Sequence, residues 1–210
     1  MNYLAHLLLS ANTPEIAIGG LLGDFVKGGR DRDYAPAVRA GILLHRDIDR
    51  YTDAHAAHRA SRALISPERR RFAGILVDVF YDHFLVRHWA SFSSAPLAEF
   101  TATIYAILLR HRSGFPERLQ HILPAMARDD WLGSYGDPAA VAAALDGIRR
   151  RFGRYRRAAA LAGAVAELEA RYAEHERQFL DFFPELLGYV EARGLSPAND
   201  WLKPRAARRC

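Results

Sequence analysis

The chain has 210 residues, half of them apolar, and a formal net charge of +5 at pH 7. Its single cysteine, Cys210, excludes a disulfide framework, and no run of about 18 apolar residues is present that could span a membrane. This length and composition suit one compact domain. We expect a cytoplasmic protein, because the N-terminus MNYLAHLLLS lacks the basic segment of a signal peptide.

Arginine dominates the basic residues, since only Lys27 and Lys203 of the 29 are lysine. The guanidinium group binds carboxylates and phosphates through paired hydrogen bonds, which favours an acidic or phosphorylated partner. A GC-rich genome produces the same composition without any functional cause. Composition alone therefore leaves both explanations open.

Helical periodicity dominates the chain and alternating strand patterns are nearly absent. We therefore predict an all-α, single-domain helical bundle. Asn2 is the predicted cap of a short first helix. Thr13 and Pro14 are predicted to begin a second helix that runs through EIAIGGLLGDFV and ends at Gly28.

Proline signals predict where the later helices begin. A last long helix starts near residue 160, and we expect Pro184 to interrupt it. Residues 1–195 form the predicted domain, and residues 196–210 form a loosely ordered basic tail. The remaining helices are predicted to begin near Pro36, Pro67, Pro96, Pro116 and Pro138.

Acidic and histidine side chains interrupt two of the apolar helices at helical spacing. His45 and Asp49 lie four residues apart in GILLHRDID, so they share a helix face. Asp78 and Asp82 have the same spacing in DVFYDHFLVRHW, where His83 follows directly. Burying a carboxylate in such a segment costs free energy unless the group is paired or binds a metal.

Two further polar residues stand in apolar segments. Asp24 follows three glycines in GGLLGDFVKGG, which allow either close backbone approach or tight helix packing. His6 in LAHLLL, taken alone, is more typical of a buried core histidine than of a ligand. Taken singly, each of these residues is explained by a surface or salt-bridged role. As a set, they suit a divalent cation such as Mn²⁺, Mg²⁺ or Fe²⁺ held between facing helices.

Four segments together resemble the acyl carrier protein phosphodiesterase family. They are MNYLAHLLLS, GGLLGDFVKG, GILLHRDID and DVFYDHFLVRHW, in this order and at these distances. The resemblance implies a helical, HD-like fold distantly related to HD-type metal-dependent phosphohydrolases, with activity supported by manganese. It also implies removal of the 4′-phosphopantetheine arm from the serine of holo-acyl carrier protein. That carrier protein would be the partner, rather than a nucleic acid or a membrane.

The resemblance also implies roles for individual residues. Asp24 is expected to act as a metal ligand or as a base, and His83 or His6 as the general acid. Asp82-His83 reverses the adjacent pair of an HD signature, so the division between ligands and acid–base groups stays open. The expected metal ligands are His45, Asp49, Asp78, Asp82 and Asp24. The expected contacts with an acidic carrier protein are Lys27, Arg30, Arg46 and Arg50.

Three other functions are compatible with parts of this pattern. An HD-like hydrolase of a nucleotide or another small phosphoester would use the same metal site. An inactive scaffold could bind the carrier protein without hydrolysing it. A nucleic-acid-binding helical protein would use the arginines, but it leaves the buried acids unexplained and no recognised motif supports it.

Overall fold

The computed structural model describes residues 1–152 and 156–194. Within these residues the chain forms twelve α-helices and no β-strand, so the all-α prediction is confirmed. The helices are α1 (Tyr3–Leu9), α2 (Pro14–Leu22), α3 (Pro36–Ala54), α4 (Ala56–Leu64), α5 (Ala73–Arg87), α6 (Trp89–Phe92), α7 (Leu97–Arg110), α8 (Glu117–Arg128), α9 (Trp131–Ser134), α10 (Pro138–Arg151), α11 (Val165–Ala170) and α12 (Tyr172–Glu191). Short 3₁₀ segments lie at Arg30–Asp33, Arg70–Phe72, Arg112–Gly114 and Arg156–Leu161.

Further expectations concern membrane-spanning helices, the C-terminal tail and the HD-like relationship. No helix in the described ranges is both long and apolar enough to cross a membrane. The predicted tail at residues 196–210 lies outside the described residues, and the HD-like relationship stays a prediction.

Several helices begin where capping signals predict. Thr13 accepts a hydrogen bond from the Ile16 backbone N–H at 3.3 Å, and Pro14 is the first residue of α2. Asp137 likewise accepts the Ala139 backbone N–H at 2.8 Å at the start of α10. Side-chain caps of this kind satisfy backbone donors that have no partner within the helix.

Two boundaries differ from the prediction. Helix α2 ends at Leu22 instead of Gly28, because the N–H groups of Phe25 and Val26 both turn back onto the Leu22 carbonyl at 2.9 Å. Asp24 therefore lies in a turn and not on a helix. Helix α5 begins at Ala73, six residues after Pro67, and the short helix α4 was not anticipated.

The expected break at Pro184 is wrong, because α12 continues through it. Proline removes the hydrogen bond to the carbonyl four residues earlier, which here belongs to Leu180. Leu180 is 39% exposed and Pro184 is exposed as well, so the missing hydrogen bond lies on the solvent-facing side of α12. Phe182 and Phe183 are fully buried, and their packing holds the helix together. The chain breaks instead at Arg171, whose φ of −133° separates α11 from α12.

Close packing of α2 on α3 positions the candidate functional site. A Cβ atom on Gly19 would lie 2.7 Å from the Cα of Gly41, a distance that no side chain accommodates. The two helices therefore meet backbone to backbone. Helix α5 packs against α1, α4, α10 and α12 and is buried over most of its length, with Leu76, Phe80 and Phe84 fully enclosed. Any polar group on α5 must find a partner within the protein.

Candidate metal and active site

Two histidines and an aspartate from α1 and α3 converge in the interior. His6 Nε2 lies 3.0 Å from Asp49 Oδ1, and His45 Nε2 lies 3.2 Å from Asp49 Oδ2. The two imidazole rings stack with their centroids 3.7 Å apart. One ligand atom from each residue lies within 4.8 Å of the other two. Both histidines are buried while Asp49 is partly exposed, so the cluster opens towards solvent on the carboxylate side.

The backbone of α2 fixes the orientation of His45. Its Nδ1 lies 2.7 Å from the Gly20 carbonyl oxygen. A carbonyl can only accept a hydrogen bond, so Nδ1 must carry the proton. In the neutral form of the ring, Nε2 then presents its lone pair to Asp49. Metal-binding histidines are commonly held in this way, with the second ring nitrogen bonded to a backbone carbonyl.

The donor set fits a divalent cation. A lone pair on His45 Nε2 and an oxygen of Asp49 repel each other at 3.2 Å unless a proton or a cation lies between them. Burial, together with the adjacent His45, lowers the pKa of His6 to about 4. Burial raises the pKa of Asp49, but its interactions with His45, His6 and the α-amino group outweigh it and hold that pKa well below its usual range. A neutral imidazole next to a carboxylate is the form that binds metals.

Two more carboxylates border this cluster. Asp24 Oδ1 lies 3.9 Å from His45 Nε2, and its side chain is 46% exposed. The α-amino group of Met1 lies 3.3 Å from Asp49 Oδ1 and 3.2 Å from Asp78 Oδ1. Burial lowers the pKa of this ammonium group, but Asp78 and Asp49 outweigh it and raise the pKa to about 10. A positive charge thus bridges the two carboxylates.

The structure adds two residues that the sequence analysis did not single out. His58 on α4 places Nε2 3.2 Å from Asp78 Oδ1. Tyr3 is partly buried near Asp24. Burial and the Asp24 charge raise the pKa of Tyr3, while Arg151 and Arg118 act in the opposite direction. His58 lies in a helix of alanine, arginine and serine without a neighbouring acid, so no local pattern marks it.

Asp82 lies apart from the His6, His45 and Asp49 cluster, although it is one helical turn from Asp78. Its two carboxylate oxygens accept the backbone N–H groups of Leu4 at 2.8 Å and Ala5 at 3.0 Å. Burial raises the pKa of Asp82 to about 7, although both hydrogen bonds oppose the shift. Asp82 therefore anchors the start of α1 to α5, and we do not retain it as a metal ligand.

His83 also points away from the cluster. Its Nδ1 lies 2.8 Å from the Tyr135 carbonyl oxygen, and its Nε2 lies 3.0 Å from the Tyr172 hydroxyl. Both ring nitrogens are therefore occupied by residues outside the cluster. Since this arrangement leaves no nitrogen for a substrate, we do not retain the expected acid role of His83.

The four expected partner contacts occupy different settings. Lys27 and Arg30 are exposed after the Asp24 turn. Arg50 is exposed and pairs with Asp47 at 2.9 Å. Arg46 instead donates to Asp31 at 3.0 Å and to the Val26 carbonyl at 3.2 Å. Arg46 therefore ties the segment after α2 to α3.

A cavity of about 540 Å³ opens beside the carboxylates. Its polar lining includes Tyr3, Asp24 and Asp78, and its apolar lining comes largely from α5, α8 and α10, including Ile75 and Ala144. This volume lies within the range of about 300–1,000 Å³ that is usual for small-molecule sites.

The fold and this site define an all-α protein with a partly buried histidine–aspartate cluster that fits a divalent cation, next to a cavity of small-molecule size. The family model described as acyl carrier protein phosphodiesterase matches residues 1–186. The chain belongs to the acyl carrier protein phosphodiesterase family, which confirms the resemblance of the four segments.

Individual relatives agree with this assignment along almost their whole length. An acyl carrier protein phosphodiesterase of Serratia proteamaculans is 40% identical over 196 residues, which cover 93% of this chain and 100% of the relative. One from Yersinia pestis is 35% identical over 188 residues, covering 89% of this chain and 96% of the relative. No solved structure matches the chain.

Proposed function

We propose that this chain is a divalent-metal-dependent phosphodiesterase of the cytoplasm. It hydrolyses the 4′-phosphopantetheine–serine phosphodiester of holo-acyl carrier protein and gives apo-acyl carrier protein and 4′-phosphopantetheine. The names of the relatives support the substrate. The reaction class rests on one observation, the partly buried cluster of His6, His45 and Asp49 beside two further carboxylates.

His6, His45 and Asp49 would hold the cation, and Asp24 or Asp78 would complete the set. We propose Mn²⁺ as the metal, with Mg²⁺ or Fe²⁺ as the other candidates suited to carboxylate and imidazole ligands. When bound, such a cation would neutralise charge on the phosphodiester and acidify water.

Individual side chains and one backbone carbonyl of the protein have separate roles in the reaction. The Gly20 carbonyl holds His45 Nε2 towards the cluster. His6 faces Asp49 and does not line the cavity, so we assign it as a ligand and not as the general acid. Asp24 lines the cavity and is partly exposed, which suits it to orient the attacking water and accept its proton.

Lys27 and Arg30 remain our proposed contacts for the carrier protein. Both are exposed and follow the Asp24 turn, so they would meet an acidic surface close to the reacting phosphate. Arg50 is exposed on α3 and is retained as a further contact. Arg46 is left out because Asp31 and Val26 engage it.

The test is mass spectrometry of holo-acyl carrier protein after incubation with the metal-stripped protein, with and without added Mn²⁺. We expect a loss of ~340 Da, the mass of the arm, only when the metal is present. Asp24→Asn should slow this release by at least ~10²-fold, the usual size of a general base contribution.

Asp53→Asn is the matched control, because Asp53 is exposed on α3 outside the cluster. It should release the arm at the wild-type rate. No loss of mass with any divalent cation would refute the proposed reaction. More than a tenth of wild-type activity in Asp24→Asn would refute the role of Asp24.

A further inference from the structure

The cavity owes its width to small residues on one face of α10. Ala140, Ala143, Ala144 and Gly147 all line it, and their spacing places them on a single side of the helix. A Cβ atom on Gly147 would meet only the Arg150 guanidinium, at 3.9 Å. Space is therefore left where a larger side chain would fit without a clash.

Positive groups lie in the same cavity as the carboxylates. Arg118 and Arg151 line it, and neither forms an ion pair with a carboxylate among the described residues. Both act on the hydroxyl of the partly buried Tyr3, which Asp24 also influences. The two guanidinium groups and Asp24 thus line the same cavity as Tyr3. Arginine binds phosphate oxygens through paired hydrogen bonds, so this end of the cavity suits a phosphate.

The rest of the lining suits a chain with both methyl and amide groups. Ile75 and Val79 of α5 and Ile122 of α8 contribute apolar surface. Asn2 also lines the cavity. Its side chain interacts with the Tyr135 hydroxyl, but its buried nitrogen forms no hydrogen bond of ordinary geometry in the described part of the chain. A buried donor of this kind costs free energy until it meets an acceptor. The carbonyl oxygen of an amide would provide one.

We infer that this cavity binds the pantetheine chain of the substrate arm, while Arg118 and Arg151 bind its phosphate beside Asp24 and Asp78. The inference rests on the proposed function and identifies the part of the substrate that the protein recognises. The small residues of α10 set the width available to the chain. A side chain added at residue 147 fills that space without touching the histidine–aspartate cluster.

Gly147→Leu tests this assignment, and Gly188→Leu is its matched control. Gly188 also lies inside a helix, its Cβ would meet nothing within 4 Å, and it is exposed away from the cavity. Replacing a helical glycine by leucine favours the helix, so each variant should unfold about 2 °C above the wild type. Only Gly147→Leu should therefore combine a higher unfolding temperature with a lower activity.

Two measurements complete the test. Titration calorimetry with 4′-phosphopantetheine should give a Kd at least tenfold weaker for Gly147→Leu than for the wild type. Release of the arm from holo-acyl carrier protein with Mn²⁺ should show a kcat/KM at least tenfold lower. Gly188→Leu should match the wild type in both.

A second pair of variants tests whether the effect comes from filling the cavity and not from residue 147 itself. Ala144→Trp fills the same cavity, and Ala139→Trp places the same side chain on an exposed position of α10 outside it. Wild-type Kd and kcat/KM in both Gly147→Leu and Ala144→Trp would overturn the inference while the proposed function stands. No release of the arm by the wild type would overturn the proposed function and the inference together.

Discussion

Gly23 gives the imidazole ring of His45 the room that it occupies. A Cβ atom on residue 23 would lie 2.6 Å from the Cβ of His45. The backbone at Gly23 has φ −51° and ψ −35°, a helical conformation that alanine adopts readily. Any effect of Gly23→Ala should therefore arise from displacement of His45 and not from backbone strain.

We predict that Gly23→Ala weakens Mn²⁺ binding by about 10–100-fold, as the loss of an orienting contact around a metal ligand typically does. Calorimetric titration with Mn²⁺ measures the change. Gly74→Ala is the control, because a Cβ there would meet nothing within 4 Å. An affinity within twofold of the wild type in Gly23→Ala would show that His45 does not bind the metal.

Residue spacing predicted part of this site and missed another part. His45 and Asp49 meet as their i, i+4 spacing indicates. Asp78 and Asp82 share the same spacing on α5, yet only Asp78 borders the cluster. The difference arises because α1 packs against α5 and presents its first N–H groups to Asp82. A backbone partner from another helix cannot be predicted from the local sequence.

Helix α12 contains a fully buried histidine. His175 is fully buried, and neither of its ring nitrogens has a hydrogen-bond partner in the described residues. Phe80 of α5 packs edge-on against it. Burial lowers the pKa of His175 to about 4, although Glu174 and Glu167 act in the opposite direction.

This burial predicts a loss of stability in acid. The unfolded chain takes up the proton near pH 6.5, but the folded protein does so only near pH 4. Protonation therefore favours unfolding as the pH falls through this window, and the full effect is about 3 kcal/mol. His175→Leu should remove this contribution. As the pH falls from 6.5 to 4, the free energy of unfolding of the variant should therefore rise relative to that of the wild type.

Urea unfolding at several pH values measures the effect. The exposed His121 on α8 provides the control variant His121→Leu, which should follow the wild-type profile. A constant difference between His175→Leu and the wild type across this pH range would contradict the prediction.

Helix starts were predicted better than helix ends and interruptions. Thr13, Pro36 and Asp137 act through their immediate neighbours, so the sequence carries the whole signal. Pro184 was expected to interrupt α12, but packing of distant aromatic residues outweighs its local effect. Arg118 and Arg151 reach the cavity from α8 and α10, and only the tertiary fold brings those helices to the Asp24 turn.

The whole molecule contributes to the histidine–aspartate cluster, because its members come from distant parts of the chain. His6 lies on α1, Asp49 on α3 and the neighbouring Asp78 on α5. Unfolding separates all three, so the unfolded chain cannot hold the cation in the same way. A metal that binds only the folded form must stabilise that form.

This linkage predicts that Mn²⁺ raises the thermal unfolding midpoint. A concentration 100 times the Kd stabilises the folded state by about 2.7 kcal/mol, which corresponds to about 5–10 °C for a chain of this size. Asp49→Asn should lose the shift, because it removes a charged ligand. Asp53→Asn on the same helix should keep it, since that side chain is 71% exposed and pairs with Arg62. Differential scanning calorimetry compares the three proteins, and equal shifts in both variants would place the metal outside the cluster.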